Sequence, residues 1–590
     1  MNKEEVKTKL EDNKLPKGWQ RVRFKDIAEN KKFAIVDGPF GTQLHADEYL
    51  NEGIPVVRII NLSFNGKFLE EKFVFINKKK ANILKRSEVI PGDIIIAKTG
   101  ATIGKSGIFP TNLHKGIIAS SCLKFTTKRN KFSEKYILYF ITWYKGQKKI
   151  LNGASGSTRT TINIIPFSNI EIYLPFYLSE QCKIAEILEI IDQTIDKTKT
   201  IIEKYKRIKQ GLMQDLFAKG VTAFEFEKDK MVNAVKKVFD NGDHRFGREE
   251  NLVSHLSRHL ENFFPEWAVD SEVEKNNERQ RPDIIIHKRG TDNNLFAIEV
   301  KKNDNLNAIK EDIKKLENVM LGDYGYEDAI FIGFNIENFR EIFILSNRIN
   351  YILVSQSGET MVKPRIRKFK DSPLGNIPEE WKVAKLGEMS KILLSNVDKK
   401  IFSQEIKVKL CNYLEVYKHD YLFKNVNFSI GSVNVREYQK FKVDKGDVII
   451  TKDSEEFDDI AKSTYVEDEI EDLICGYHLC LIKPKINIIV GQYLAMVLWF
   501  EKYNKQFQNK ANGITRFGIS KETIENALLP LPSLPEQQRI ALILSQMDET
   551  IEKEQSYKNK YERLKQGLME DLLTGEVRTN HLIKEGVESV

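Results

Sequence analysis

Asp283, Glu299 and Lys301 are the residues of this chain whose types and spacing best suit chemistry. Glu299 and Lys301 stand two apart in the apolar run Leu295 to Lys301, so a strand there turns both side chains to one face. Arg281-Pro282-Asp283-Ile284-Ile285-Ile286 reads as the preceding strand, and the polar stretch Lys288 to Asn294 as the turn of a hairpin that brings Asp283 alongside. Two carboxylates hold Mg2+ through hard oxygens, and an ammonium beside them can orient or help deprotonate an attacking water. The ion also offsets charge on a phosphodiester under attack. A third ligand is available from Glu250 or Glu249, at the opening of an amphipathic helix continuing to Phe264, and Glu250 is the one assigned. The catalytic set is then Asp283, Glu299 and Lys301, and the metal set Asp283, Glu299 and Glu250. A plainer reading makes Glu299 and Lys301 rim charges on a structural domain.

These residues need a domain to hold them, and a duplication shows where it lies. Tyr205 to Leu216 recurs almost unchanged as Tyr561 to Leu572, both carrying Lys-Gln-Gly-Leu-Met. Leu15-Pro16-Lys17-Gly18-Trp19 recurs as Ile377-Pro378-Glu379-Glu380-Trp381, and Pro91-Gly92-Asp93-Ile94-Ile95 as Lys445-Gly446-Asp447-Val448-Ile449. Leu174-Pro175 with Glu180-Gln181 recurs as Leu534-Pro535-Glu536-Gln537. A duplicated unit makes two similar surfaces, which suits a target with two similar halves. Trp19 to Gly211 and Trp381 to Gly567 are spans of nearly equal length. The connection from Gly211 to Trp381 is far longer than the ~15–30 residues a linker needs, leaving about 140 residues, a whole domain. That insert is placed at 222–363.

Each repeat reads as a head of short strands and turns followed by a long helix. Ile184, Leu188, Ile191, Ile195, Thr198, Ile202, Tyr205, Lys209, Leu212 and Leu216 alternate by four and three, and Ile540 to Leu572 keep the same phase, a heptad seam with polar interruptions. Pro175 and Pro535 precede the helices, and Gly220 and Gly575 follow them. Pairing of the two helices is the simplest burial, and some thirty residues make a rod of about 45–50 Å that holds two heads apart. The expected fold is α/β and multidomain. Its parts are a head at 15–175, a helix at 176–219, the insert at 222–363, a head at 375–532 and a helix at 533–575. The two helices form an antiparallel pair.

The totals agree with several domains and with nucleic acid as a partner. At 590 residues the chain exceeds one hydrophobic core, and a formal charge of +8 permits DNA binding without establishing it. Five scattered cysteines speak against a disulfide framework and for a reducing cytoplasm, and the charged N-terminus does not look like a signal peptide. Cys475, His478 and Cys480 sit in a strand-like context and are read as core rather than as a zinc site. Gly100 to Ser106 has three residues between its glycines where a phosphate-binding loop needs four, so no ATPase is expected. DNA contacts are placed at Lys98, Thr158, Arg159, Thr515 and Arg516. Small residues with one Arg, as in Gly156 to Thr160 and Gly513 to Phe517, suit phosphates or a guanine edge, or equally a turn with a solvated Arg.

The duplicated motifs, together with Gly92 to Gly100, Ile103-Gly104-Lys105 and Leu531 to Ala541, resemble the DNA specificity subunit of type I restriction-modification enzymes. That resemblance implies two target-recognition domains reading a split double-stranded DNA site, and helices that act as spacer and as docking surface for two methyltransferase subunits. The methyl donor would be bound only by a partner, since no Asn-Pro-Pro-Tyr-type motif or glycine-rich donor fingerprint is present here. Any restriction or motor subunit would be another chain, and no membrane is involved. Pro282-Asp283 and Glu299-Val300-Lys301 resemble the PD-(D/E)XK nuclease superfamily, which implies Mg2+-dependent endonuclease activity. The Gln-x-x-x-Tyr often found on the following helix is absent from Asn305 to Met320. The alternatives are a non-catalytic specificity subunit whose insert only binds DNA or another subunit, and a coiled-coil interaction protein with no DNA role.

Overall fold

The computed structural model describes residues 15–39, 43–156, 160–241, 249–271, 282–289, 294–302, 305–317, 326–513 and 515–583. The fold is mixed α/β with two long helices, Leu178–Lys219 and Leu534–Thr574. It divides into two compact units, residues 1–204 with 551–590, and residues 205–550.

In the first unit, Trp19–Arg23 pairs antiparallel with Glu171–Pro175, tying the opening of the head to the start of the first long helix. Two four-stranded sheets complete the head, one with Ile94–Ala97 at its centre and the other with Ile54–Val57. The core closes over Ile184, Ala185 and Leu188 of the first long helix and Met569, Leu572 and Leu573 of the second. The apolar ends of the heptad seam therefore serve the head as well as the partner helix. Its polar interruption is explained too: Lys565 Nζ lies 2.6 Å from Asp192 Oδ1, and Tyr139 donates its hydroxyl to Asp192 Oδ2 at 3.0 Å.

The second unit repeats this arrangement with the helices exchanged. Leu216 and Phe217 of the first long helix and Ile540, Ala541 and Leu544 of the second pack into the second head's core. Lys209 pairs with Asp548, and Tyr421 donates to Asp548 at 3.0 Å. In each unit the start of one helix meets the end of the other, which is an antiparallel pairing. Lys565→Asp leaves two carboxylates facing each other in a mostly buried place and should cost about 3 kcal/mol in a denaturant titration. Adding Asp192→Lys should recover most of that loss, and a double-mutant cycle measures the difference.

Each long helix ends at a left-handed glycine, Gly220 (φ +69°) and Gly575 (φ +74°). A Cβ on Gly220 would stand 2.7 Å from Trp381 Cζ2, and one on Gly575 2.7 Å from Trp19 Cε2. The glycine that closes one helix is thus the floor for the tryptophan that opens a head. Gly575→Ala combines the left-handed penalty with displacement of the indole, about 2–3 kcal/mol together, and should lower the melting temperature.

The insert lies wholly in the second unit. Its helices are α1 (Ala223–Asp240), α2 (Glu249–Phe263) and α3 (Leu306–Lys315). Its strands are β1 (Ala268–Ser271), β2 (Ile284–His287), β3 (Asn294–Lys301), β4 (Tyr326–Phe334), β5 (Asn350–Val354) and β6 (Thr360–Lys363). They form one six-stranded sheet in sequence order, with β3, β4 and β5 parallel and the other pairs antiparallel. One face packs on α1 and α2 through Phe224, Val235, Leu256, Ile286 and Ile298. The other packs on α3 through Ala297, Ile309, Ile313 and Phe331. Covered on both faces, β3 is apolar nearly throughout, as central strands of such layers are, and its two charges stand out against that background.

Candidate functional site

The period-two alternation of β3 sends Glu299 and Lys301 to the face shared with Ala297, against α3. Asp283 precedes β2, and its Oδ2 accepts from the Val300 N–H at 2.7 Å, which fixes the carboxylate beside β3. Glu299 is 2% exposed, and its Oε1 lies 2.7 Å from Lys315 Nζ. Lys301 Nζ is 2.9 Å from Glu249 Oε1 and 3.2 Å from Asp312 Oδ2. Asp283, Glu299 and Lys301 therefore converge, joined by Glu249, Asp312 and Lys315.

Glu250 is not part of this cluster. It is exposed on α2, and the helix carboxylate turned toward the sheet is its neighbour Glu249, one residue earlier and about 100° around the helix. Asp312 and Lys315 were not singled out in the sequence. Their i, i+3 spacing on a polar helix places them on one face, and that was the available signal.

Burial sets the electrostatics. It raises the Asp283 carboxyl above its usual range, while the Val300 N–H and the Lys315 and Lys301 charges pull it back. Burial, and then the Asp283 charge, push Glu299 well above the carboxylate range, with Lys315 acting against them. Burial works against the Lys301 ammonium, but Glu249 and Asp312 outweigh it and hold its pKa above normal. A buried carboxylate and a half-buried one, the first raised by the second's charge, form a site whose ionised state a hard cation would relieve. Among the described residues no group of three His, Cys, Asp or Glu side chains is arranged to hold a metal. Mg2+ commonly takes only one or two carboxylates and completes its shell with water and phosphate oxygens, so Asp283 and Glu299 fit that ion.

In the heads, Lys98 departs from expectation. Its Nζ lies 2.9 Å from Asp37 Oδ2 and its side chain is only 11% exposed, so its charge is spent inside the fold and not presented to a phosphate. Thr158 and Arg159 lie outside the described residues. Thr515 and Arg516 are exposed in the second head. Arg516 Nε is 3.2 Å from Asp453 Oδ1, and its Nη2 is 3.1 Å from His478 Nδ1. Asp453 in turn is 2.6 Å from His478 Nδ1. Two loops and a short strand, Asp453–Ser454, thus meet at one exposed, carboxylate-backed guanidinium, a side chain oriented to donate. Cys475 and Cys480 are buried in different cores, and burial pushes the Cys480 thiol up to about 12. His478 turns to Asp453 instead.

Residues 16–207 and 378–563 match the sequence profile of the family described as the type I restriction modification DNA specificity domain. The two segments make up more than half of the chain, and the chain belongs to this family. One similar protein, the MjaX type I restriction enzyme specificity subunit of Methanocaldococcus jannaschii, is 28% identical over 223 residues, 37% of this chain and 50% of that one. The StySPI specificity subunit of Salmonella potsdam is 29% identical over 217 residues, 35% and 44% of the two chains. The chain spans about half the length of the curated relatives it matches. The crystal structure of a type I restriction-modification S subunit from M. genitalium covers 95% of this chain and 97% of its own at 12% identity, with a TM-score of 0.44. The insert falls between the two matched segments. Among the described residues no helix is long and apolar enough to cross a membrane.

Proposed function

We propose that this chain is the specificity subunit of a type I-like restriction-modification complex and that its insert is a Mg2+-dependent DNA endonuclease. The observation that carries this reading is the placement of the buried Glu299 beside the half-buried Asp283, with Lys301 next to them, in an α/β domain spliced between two specificity-family segments. The two heads read the halves of a split double-stranded DNA site, and methyltransferase subunits dock on the long helices. When bound, Mg2+ would offset charge on the scissile phosphate. Asp283 and Glu299 would hold it, with the Val300 N–H fixing the orientation of Asp283. Lys301, steadied by Glu249 and Asp312, keeps its proton and serves as a fixed donor to a water or a phosphate oxygen rather than as the base. The test is cleavage of a mixed-sequence plasmid library by the chain with its co-purified methyltransferase, comparing Mg2+ with EDTA.

A second reading rests on the ion pairs that occupy the same cluster. Lys315 on Glu299, and Glu249 and Asp312 on Lys301, close it with protein charges alone, as a structural domain would. The insert would then be a non-catalytic scaffold. Salt-sensitive binding to a split site without any Mg2+-dependent cutting selects this reading.

A further inference from the structure

An inserted domain usually hangs on linkers and moves relative to its host. Here the entry side has almost no linker. Val221 belongs to the second head's core, Ala223 and Phe224 to the insert's core, and only Thr222, the N-cap of α1, lies between them. Phe226 of α1 packs back against the head's core.

The exit side is fastened by alternate residues of one extended stretch. Arg365 donates to Asp328 at the start of β4 at 2.6 Å, and Asp328, fully buried, also accepts from the Phe224 N–H at 2.9 Å. Two residues on, Arg367 makes a two-pronged contact with Glu536, at 2.7 and 2.9 Å. Glu536 opens the second long helix and also accepts from the Val221 N–H and the Trp381 indole N–H, each at 2.9 Å. Glu380 lies 3.3 Å from both Arg365 and Arg367. A separate pair, Arg539 with Glu327 at 2.7 Å, joins that helix directly to β4.

Buried, mutually satisfied charges contribute little net stability, but they admit few alternative geometries. Two of these contacts, Arg365 with Asp328 and Arg539 with Glu327, fall on β4, the strand hydrogen-bonded to the one that carries Glu299. We infer that this junction makes the insert and the second head one rigid block, so that the insert cuts DNA at a fixed offset from the half-site read by the second head. The offset rests on the nuclease reading above; the rigidity does not.

The test uses the full chain with its methyltransferase partner. Cys182 is the one exposed cysteine among the five, so Cys182→Ser clears the surface for spin labels at Ile344→Cys in the insert and Ile486→Cys in the head. A single narrow distance peak is expected, and a broad distribution overturns the inference. Gly/Ser linkers of about ten residues at Val221/Thr222 and Lys363/Pro364 add an r.m.s. reach of about 16–19 Å and should broaden the peak. Sequenced DNA ends should cluster at one offset in the unmodified complex and spread by about five base pairs with the linkers. A narrow peak with scattered Mg2+-dependent cuts overturns the fixed offset and leaves the nuclease standing. A narrow peak with no cuts sinks the nuclease reading and leaves the rigid block supported.

Discussion

Asp283→Ala is expected to abolish Mg2+-dependent cleavage, by about 10³-fold or more, while sequence-specific binding is retained. On the nuclease reading, losing one of two carboxylate ligands forfeits several kcal/mol of charge stabilisation at the phosphate, and each 1.36 kcal/mol is about tenfold in rate. The fold should tolerate the change. The Val300 N–H loses its acceptor, a cost of about 1–3 kcal/mol, but Glu299 is relieved of a like charge beside it. A titration of stability with and without Mg2+ gives a second measure. Both carboxyls have raised folded values, so without metal the insert draws most stability from this pair at acid pH. It loses stability as pH rises from about 4 toward those values. A cation on the ionised pair offsets that loss, so Mg2+ should raise the melting temperature more at pH 8 than at pH 5. Glu299→Gln should remove the difference. Undiminished cutting by Asp283→Ala would end the nuclease reading.

How much of this was legible beforehand depends on the kind of signal. The heptad seam and its flanking Pro and Gly mark both long helices, because helix period and end signals are local. Asp283, Glu299 and Lys301 were legible for the same reason: a hairpin and a period of two decide which side chains share a face. The partners of those residues were not. Asp312 and Lys315 reach the cluster only because α3 packs on that face of the sheet, a tertiary fact. Glu249 and Glu250 stand one residue apart at the start of a helix, where the angle of docking decides which points inward. Lys98 was placed among the DNA contacts, but Asp37, far away in sequence, takes its charge. Arg365 and Arg367 have the spacing of a one-faced strand, yet nothing local says that Asp328 and Glu536 await them.

The duplicated Glu-Gln motif carries the other large effect, and the two copies should not be equal. Gln181 and Gln537 do the same work, accepting from Ser133 and Val490 N–H groups at 3.0 and 2.8 Å. Each also donates to a carbonyl just before its helix, that of Pro175 or Pro532. The glutamates differ. Glu180 holds Arg578, whose side chain is 29% exposed, and among the described residues the Trp19 indole N–H finds no acceptor. Glu536 holds Arg367, only 11% exposed, together with the Trp381 indole N–H and the Val221 N–H. Removing a carboxylate costs most where the donors left behind are buried and numerous. Glu536→Ala should therefore cost about 4–5 kcal/mol against about 2–3 for Glu180→Ala, the range for breaking a buried charge pair and its lower edge. Hydrogen exchange separates the two. Glu536→Ala should expose the amides of Val221 and Phe224 and loosen the insert's entry, whereas Glu180→Ala should act only around Trp19 and Arg578. Equal effects would mean that burial of the partners does not set the strength of this motif, and that the junction between head and insert rests on the apolar contacts of Val221, Phe224 and Phe226 instead.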